Sequence, residues 1–452
     1  MRSKWYILLF FCTLVFSCAK EENTLVFWVD PDTDIYFDFL ENEKTFHVYN
    51  IYNKSVSWEI VHKYDFMSVY PQSGILEVKD SVKITVSIDR NLFDDIPGSV
   101  DHHPAGKRYS SYLLLNSTGR PRSSETVGFN VKYFNHDYLK LDGNITDARY
   151  DRVNDLLILV QNDPDLVKII NPETGEFETV ELSMKPTSLS VSFDGKYAAI
   201  GHLGWFTLLN LQTLEIENIY HVAIEVLNLI IAPNNWVYLY SDEFLGQIMS
   251  FDLENEVIAD SFESNIPVKS KGAVIHPSGN YIYLPGWPEM LVRHSIADGP
   301  AVFSGISALT DYHDCTHLWI SDDGERLFTN RNHVINTHYS AYSNFNYAGT
   351  LEGGPRIITA LDHHSGTGKI ALVRCVGGAT ITCSDLIILN DHSLKIEQEL
   401  EIPRYMVPIT GQFIFRKLSG RYGFFNSDGT RFYLLAHPDS PVRWNLVSFD
   451  IE

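Results

Sequence analysis

The densest group of side chains able to do chemistry lies in the segment 311–317, which reads Asp-Tyr-His-Asp-Cys-Thr-His. Carboxylate, imidazole and thiol groups can all bind metal ions. If this segment is a strand, alternate residues share one face, so that His313, Cys315 and His317 point the same way. Three ligands along one strand are too nearly collinear for a tetrahedral site. We therefore expect no metal here, and the pattern favours a strand that lines a polar channel.

A second set of candidates combines aromatic planes with charged groups. Sugar recognition needs such a combination, because a pyranose offers an apolar C–H face and a rim of hydroxyls. The alternative is that the tryptophans are buried in the core. No segment matches a nucleophile elbow, a phosphate-binding glycine loop or a zinc-binding helix motif, so we assign no catalytic residue, cofactor or metal. The candidate ligand-binding residues are Trp205, Trp287, Trp444, Tyr312, His313, Asp314, Arg331 and Arg356.

The chain contains five cysteines, two of them within the first 18 residues. Cys375 and Cys383 flank a pair of glycines between two β-rich runs, as expected for positions that face each other across a hairpin. In an oxidising compartment they could form a disulfide, provided that the strand register places them opposite each other. Cys315 would then be a buried free thiol.

The N-terminus has the pattern of a processing signal. Arg2 and Lys4 give a basic start, and the apolar run Trp5–Phe16 that follows is too short to span a bilayer. Residues 15–18, Val-Phe-Ser-Cys, resemble the lipobox of bacterial lipoproteins, although Phe16 stands where that motif prefers a smaller residue. The resemblance implies a signal peptide at 1–17, a lipidated tether at 18–23 and a lipid anchor on Cys18.

The residues after Cys18 and the overall charge bear on location and partners. Residues 19–23, Ala-Lys-Glu-Glu-Asn, resemble the surface-export signal of Bacteroidetes lipoproteins, which implies a surface-exposed outer-membrane lipoprotein. The formal net charge is −22, and loss of Arg2 and Lys4 with the signal peptide makes the mature chain more acidic still. Such a surface repels phosphate backbones, so we exclude nucleic acid as a partner.

Residues 24–135 contain short alternating or β-branched runs separated by turn signals, which predicts a small antiparallel sandwich. Trp58 follows Asn53 on one run, residues 71–74 read Pro-Gln-Ser-Gly, and the later run Ile84–Asp89 alternates and ends in Asp. This pattern resembles the BACON domain, an immunoglobulin-like module of Bacteroidetes proteins. The resemblance implies an immunoglobulin-like β-sandwich with a carbohydrate-binding or a spacer role, and we interpret it as a spacer.

From residue 136 to residue 452 the chain repeats about every 40 to 45 residues. Each repeat has a β-run, a tight turn of the type Ser-x-Asp-Gly, a second β-run, a loop and a third run. This period predicts a seven-bladed β-propeller after the sandwich, so the fold class is all-β. The third runs resemble those of YVTN- and WD40-like propellers. The seven turns are Asp151–Asp155, Ser192–Gly195, Ala232–Asn235, His276–Gly279, Ser321–Gly324, His363–Gly366 and Asn426–Gly429.

The repeat also has irregularities. A longer spacing before the last turn predicts an insertion around Glu397–Thr410, and the fifth blade has an extended loop at Thr337–Tyr347. The chain ends on a third strand, Leu446–Ile451, so we expect Tyr138–Leu141 to supply the outer strand of the last blade and close the ring. His363 and His364 are assigned to a solvated turn.

A propeller gathers the candidate residues in loops at one mouth of its central channel. The main prediction is a non-enzymatic cell-surface lipoprotein that recognises a glycan or a protein partner at this mouth. The first alternative is a polysaccharide lyase or hydrolase that uses His313, Asp314 and Arg331, with Tyr312 as acid or base. The second is a structural scaffold in a surface complex.

Overall fold

In a computed structural model, the chain divides into two compact units, Met1–Asn135 and His136–Glu452. The predicted signal peptide, the tether and Cys18 lie outside the described residues. Where the chain is described, no helix is long and apolar enough to cross a membrane. The structure describes residues 25–31, 33–38, 41–92, 107–133, 138–241, 248–260, 268–269, 272–286, 290–308, 315–338, 345–354, 356–376, 382–409, 412–440 and 442–451.

The described residues of the first unit form two β-sheets and one 3-10 helix, Arg90–Leu92. Its strands are β1 (Phe27–Asp30), β2 (Ile35–Phe37), β3 (Glu43–Asn50), β4 (Val56–Val61), β5 (Met67–Tyr70), β6 (Ser73–Leu76), β7 (Ser81–Ile88), β8 (Lys107–Ser117) and β9 (Ser124–Tyr133). One sheet has the order β1-β3-β7-β5, and the other has the order β2-β9-β8-β4-β6.

The two sheets of the first unit share one apolar core. Alternate residues of β3 and β7, such as Phe46 and Ile84, are buried, and they belong to the same cluster as Trp58 of β4 and Phe129 of β9. This alternation follows from the two-residue period of a strand, which turns one side of each sheet inward. The immunoglobulin-like family assignment stays a prediction.

The second unit consists of seven four-stranded antiparallel sheets within the described residues, which confirms the predicted β-propeller. Blades 1 to 4 are β11 (Asn144–Asp151), β12 (Leu156–Asn162), β13 (Leu166–Ile170) and β14 (Phe177–Glu181); β15 (Ser188–Val191), β16 (Tyr197–Gly201), β17 (Leu203–Asn210) and β18 (Glu215–Glu225); β19 (Asn228–Ile231), β20 (Trp236–Tyr240), β21 (Ile248–Asp252) and β22 (Val257–Asp260); and β23 (Val274–Ile275), β24 (Tyr281–Gly286), β25 (Met290–Ser295) and β26 (Val302–Ala308).

The remaining blades follow the same order, except that the last one takes a strand from the start of the unit. They are β27 (Leu318–Ile320), β28 (Arg326–Thr329), β29 (His333–Asn336) and β30 (Tyr347–Thr350) in blade 5; β31 (Ile358–His364), β32 (Lys369–Val376), β33 (Thr382–Asn390) and β34 (Ile396–Glu401) in blade 6; and β37 (Ser419–Phe425), β38 (Arg431–His437), β39 (Trp444–Asp450) and β10 (Tyr138–Leu141) in blade 7.

Closure of the ring uses the predicted strand. β10 pairs antiparallel with β39, with Tyr138 opposite Val447 and Leu141 opposite Trp444. The predicted insertion is present between blades 6 and 7, but it lies later than expected: Glu397–Glu401 belongs to the last strand of blade 6, and β35 (Arg404–Ile409) and β36 (Gln412–Lys417) form the separate two-stranded sheet.

The turns between the first and second strands lie at one end of the propeller, which we call the turn face. In blade 2, the Ser192 hydroxyl donates to Asp194 (2.7 Å) and accepts the N–H of Tyr197 (2.9 Å), while Gly195 has a φ of 69°. The serine and the aspartate therefore hold the turn together by hydrogen bonds, and the glycine adopts a positive φ that other residues rarely take. The loops between second and third strands and between blades lie at the opposite end, which we call the loop face.

The turn of blade 6 differs from the prediction. The strand β31 continues through His363 and His364, and the turn occupies residues 365–368. Both histidines are buried, so their assignment to a solvated turn is wrong. Their side chains are held by partners from neighbouring turns, which a local sequence pattern does not show.

An ion-pair network joins blades 1, 5 and 6 at the turn face. Arg152, in the first turn of blade 1, donates to Asp362 of blade 6 (Nη2–Oδ2, 2.6 Å) and to Asp322 of blade 5 (Nη1–Oδ2, 3.3 Å). Blades 6 and 7 lie between blades 1 and 5 in the ring, so Arg152 links blades that are not neighbours. We call Arg152, Asp322, Asp362, His363 and Asp391 the basal clasp.

His363 is the centre of the basal clasp. Its buried ring lies between two carboxylates, with Nδ1 2.9 Å from Asp322 Oδ1 and Nε2 3.2 Å from Asp391 Oδ2. The Asp322 N–H also lies 3.3 Å from Nδ1, but the shorter carboxylate contact favours the doubly protonated ring, which donates at both nitrogens. Burial tends to lower the pKa of His363. The hydrogen bond to Asp322, the negative charge of Asp322 and the hydrogen bond to Asp391 together have a larger effect, so the pKa of His363 is raised.

The pKa of Asp322 is shifted the other way. Burial of the carboxylate tends to raise its pKa, but hydrogen bonds from His363 and from the backbone N–H of Ser365 lower it by more. The net effect is that Asp322 stays ionised and His363 stays protonated over the same range of pH.

We expect the basal clasp to stabilise the propeller most between about pH 4 and pH 6.5. The contribution of His363 is complete below its unfolded-state pKa and is lost as the pH rises through its higher folded-state pKa. The contribution of Asp322 is lost as the pH falls below about 4. Above neutral pH the free energy of unfolding should fall by about 1.4 kcal/mol for each pH unit by which folding raises the pKa of His363.

Thermal unfolding followed by circular dichroism across this pH range measures the effect. The substitution His363→Gln should remove the alkaline step, whereas His392→Gln, at an exposed position of the neighbouring turn, should retain it. An alkaline step of unchanged size in His363→Gln would contradict the assignment.

Candidate binding site at the loop face

Four of the candidate ligand-binding residues, Trp287, Tyr312, His313 and Asp314, lie outside the described residues. Their roles stay predictions. The other four, Trp205, Trp444, Arg331 and Arg356, lie at or near the loop-face ends of their blades.

Trp444 is a core residue. Its side chain is 5% exposed and clusters with Leu159 of blade 1 and Leu435 of its own blade. The His437 ring packs edge-on against it, with 4.6 Å between the ring centroids. The expectation that Trp444 offers a stacking surface for a ligand is therefore wrong, because the first residue of this third strand already packs against the neighbouring blade.

Trp205 is accessible. It lies near the start of β17, opposite His221 of β18, and its ring is 38% exposed. The His221 ring packs edge-on against one part of it at 4.6 Å. The preceding Gly204 has a φ of 79°, and Leu203 beside it is 72% exposed. This end of blade 2 thus presents an aromatic plane and an aliphatic side chain to solvent.

Two asparagines fix the loop that carries Arg331. The side chain of Asn330 accepts the backbone N–H of Thr316 (2.9 Å) and donates to the hydroxyl of Thr316 (3.0 Å). The amide of Asn332 donates to the carbonyl oxygen of Gly354. The loop is thereby tied to both interblade connections that flank blade 5, and Arg331 lies half-buried between the two anchors.

A pair of arginines shares one carboxylate at the loop-face end of blade 6. Arg356 Nη1 lies 3.1 Å from Asp385 Oδ2, and Arg374 Nε donates to the same oxygen at 2.5 Å. Arg374 is buried, whereas 40% of the Arg356 side chain is exposed. Gly353 has a φ of 114° and passes so close to the Arg374 guanidinium that a Cβ would collide with it.

Two guanidinium groups therefore share one carboxylate. The accessible Arg356 is held in place by Asp385, which is itself held by the buried Arg374. Arg374 and Asp385 were not among the sequence candidates. The Asn-Arg-Asn sequence at 330–332 is a local signal for the loop that carries Arg331. No local signal of this kind indicates that Arg374 pairs with Asp385.

Cys315 does not share a face with His317. Neither residue belongs to a strand, since β27 begins at Leu318, and Cys315 is 3% exposed whereas His317 is exposed. The predicted alternation is wrong for this pair because the segment is an interblade connection. Burial raises the pKa of the Cys315 thiol to about 11, and the nearby Lys269 only partly offsets this. The thiol is therefore protonated at neutral pH and is not a nucleophile.

Cys375 and Cys383 are joined by a disulfide at the loop-face end of β32 and β33. The bond links the two strands that carry Arg374 and Asp385. It thus holds together the end of blade 6 on which the arginine pair depends.

One group of described side chains could hold a metal ion, namely Asp322, Asp323 and His363, whose ligand atoms lie within 4.8 Å of one another. It lies at the turn face and overlaps the basal clasp. The guanidinium of Arg152 already lies 3.3 Å from Asp322 and supplies positive charge, so we interpret the group as part of an ion-pair network.

The loop face therefore differs from the predicted three-tryptophan platform. Trp205 lies on blade 2, Trp444 is in the core, and the arginines gather on blades 5 and 6. Guanidinium groups recognise carboxylates and sulfates by charge-assisted, often bidentate hydrogen bonds. Among the described residues, this face presents the exposed ring of Trp205 and the accessible guanidinium of Arg356.

The two described tryptophans should respond differently to truncation. We expect Trp444→Ala to lower the free energy of unfolding by about 3 to 5 kcal/mol, because it leaves a cavity between blades 7 and 1. Trp205→Ala should cost less than about 1 kcal/mol, since much of the ring is already exposed. Chemical denaturation of both variants checks this, and equal losses would contradict the burial that separates them.

No family model matches this chain, and no curated protein matches its sequence. Among solved structures it is similar to the beta-propeller domain of Cps50 (Swd1) from Myceliophteria thermophila. That likeness covers 68% of this chain and 97% of the other, with a TM-score of 0.52 and 16% sequence identity. At this identity the likeness shows the β-propeller fold alone.

Proposed function

We propose that this chain is a lipid-anchored, surface-exposed protein of a bacterial outer membrane, and that its propeller recognises a glycan or protein partner without catalysis. The partner binds the loop face. The first unit acts as an immunoglobulin-like spacer between the anchor on Cys18 and the propeller.

The observation that carries this proposal is the rigid arrangement of the loop-face arginines. Arg356 is accessible, yet Asp385, the buried Arg374 and the close approach of Gly353 fix its position. A group that is ordered before binding loses less conformational entropy on association. The basal clasp lies at the opposite end of the propeller.

The thiol and the guanidinium groups described at this face are suited to binding more than to acid–base chemistry. Cys315 is held protonated by burial, and arginine stays protonated in proteins. The predicted acid–base residues of the enzymatic alternative, Tyr312, His313 and Asp314, lie outside the described residues.

A glycan array probed with the full chain tests partner recognition, and titration of any retained saccharide measures its affinity. Arg356→Ala should weaken binding by about tenfold, the equivalent of one charge-assisted hydrogen bond. Arg431→Ala is a matched control, because its side chain is also 40% exposed and pairs with Asp450, but on the turn face. Equal binding by wild type and Arg356→Ala would contradict a loop-face site.

The anchor has a separate test. Cys18→Ala should move the protein from the membrane fraction to the soluble fraction, because stable anchoring depends on the acyl chains attached at that cysteine. Cys12→Ala, within the apolar run of the signal peptide, should leave the protein in the membrane fraction. Membrane association of Cys18→Ala equal to that of wild type would contradict lipidation at Cys18.

A further inference from the structure

We propose that the partner is an anionic glycan, a saccharide chain that carries carboxylate or sulfate groups, and that it binds a basic sector of the loop face. The basic sector consists of Arg356, Arg374, Arg404, Arg416 and Lys417. This inference rests on the proposed function and specifies the chemistry of the ligand.

The first observation is a local reversal of charge. The chain has a formal net charge of −22, yet the segment 402–425 contains Arg404, Arg416, Lys417 and Arg421 and no aspartate or glutamate. This segment is the hairpin β35–β36 together with the first strand of blade 7. It begins where β34 ends, at the loop face beside Asp385, which pairs with Glu401 in the ladder.

The second observation is the register of that hairpin. Arg404 lies directly opposite Lys417, and Tyr405 lies opposite Arg416. Like charges at directly opposed positions destabilise a β-ladder. A two-stranded sheet is also only marginally stable by itself. Because Lys417 is exposed, an anionic ligand bound there would relieve the repulsion between it and Arg404.

The third observation is the arginine pair on the blade that precedes the hairpin. Arg356 and Arg374 both contact the carboxylate of Asp385, whereas Glu401, opposite Asp385 in the ladder, forms no ion pair with either arginine among the described contacts. The exposed guanidinium of Arg356 can accept a bidentate carboxylate or sulfate while Arg374 retains Asp385.

The turn face has the opposite charge. Its turns carry carboxylates in most blades, and several of the cations there, such as Arg152, Lys196 and Arg326, already pair with them. The acidic residues include Asp155, Asp194, Glu254, Asp298, Asp323 and Asp428. An approaching polyanion is therefore repelled from the turn face and attracted to the basic sector, which orients the encounter.

A polysaccharide fits these observations better than an acidic protein. Its repeated anionic groups can engage the separate cations of blade 6 and the hairpin along one chain. Protein interfaces instead concentrate their binding energy in a buried apolar centre.

The test compares four probes by isothermal titration with the full chain purified in detergent. Polygalacturonate carries carboxylates, dextran sulfate carries sulfates, dextran is neutral, and poly-L-glutamate is an acidic polypeptide. We expect one or both acidic polysaccharides to bind, with affinity that falls steeply as salt is raised. The carboxylate and sulfate probes distinguish the two sources of negative charge.

Two triple variants with equal change in net charge provide the control. R356Q/R416Q/K417Q removes cations of the basic sector and should weaken acidic-polysaccharide binding by about tenfold or more. K196Q/K369Q/K395Q removes cations at the turn-face ends of blades 2 and 6 and should change it less than about twofold. Unchanged melting temperatures in both variants show that folding is intact.

Each other outcome overturns the inference in a distinguishable way. Equal binding of neutral dextran would leave glycan recognition in place and remove the anionic requirement. Binding of poly-L-glutamate in preference to both acidic polysaccharides would make the partner an acidic protein. If no probe binds, or if both triple variants lose affinity equally, the basic sector is not a polyanion site. The proposed function is tested separately, by the glycan array with Arg356→Ala.

Discussion

Closure of the ring by β10 and β39 is the constraint on which the rest of the propeller depends. Each blade buries apolar residues against two neighbours, so an open ring would expose both a sheet edge and two blade faces. Pairing of Leu141 with Trp444 brings the start of the propeller onto its end and fills the core between blades 7 and 1. The same contact explains why Trp444 is unavailable to a ligand.

Once closed, the ring is held by different contacts at its two ends. The turn face is held by the basal clasp, in which Arg152 reaches from blade 1 to blades 5 and 6 and His363 lies between two carboxylates. The loop face is fixed by a different set of contacts, with Asn330 and Asn332 at blade 5 and the arginine pair at blade 6.

The distribution of charge gives these two ends different electrostatic surroundings. At the turn face several cations are paired with carboxylates and further carboxylates are exposed, so that end is acidic, and the net charge of −22 acts on any approaching molecule. The basic sector stands out because it is surrounded by this acidic background. The electrostatic potential of the basic sector depends on ionic strength, since exposed charges are screened over about 8 Å at physiological salt.

The sequence by itself determined the repeat, the seven blades, the closing strand and the insertion, because strand alternation and turn chemistry are local and recur at a fixed period. The tertiary structure decided which polar and aromatic groups are exposed. Trp444 looked like a loop residue but packs against blade 1, and His363 looked like a turn residue but is buried between carboxylates of blades 5 and 6. Arg374 and Asp385 are joined only when two strands pair in register. Burial and ion pairing depend on which blades become neighbours, and that information is spread over hundreds of residues instead of residing in any one motif.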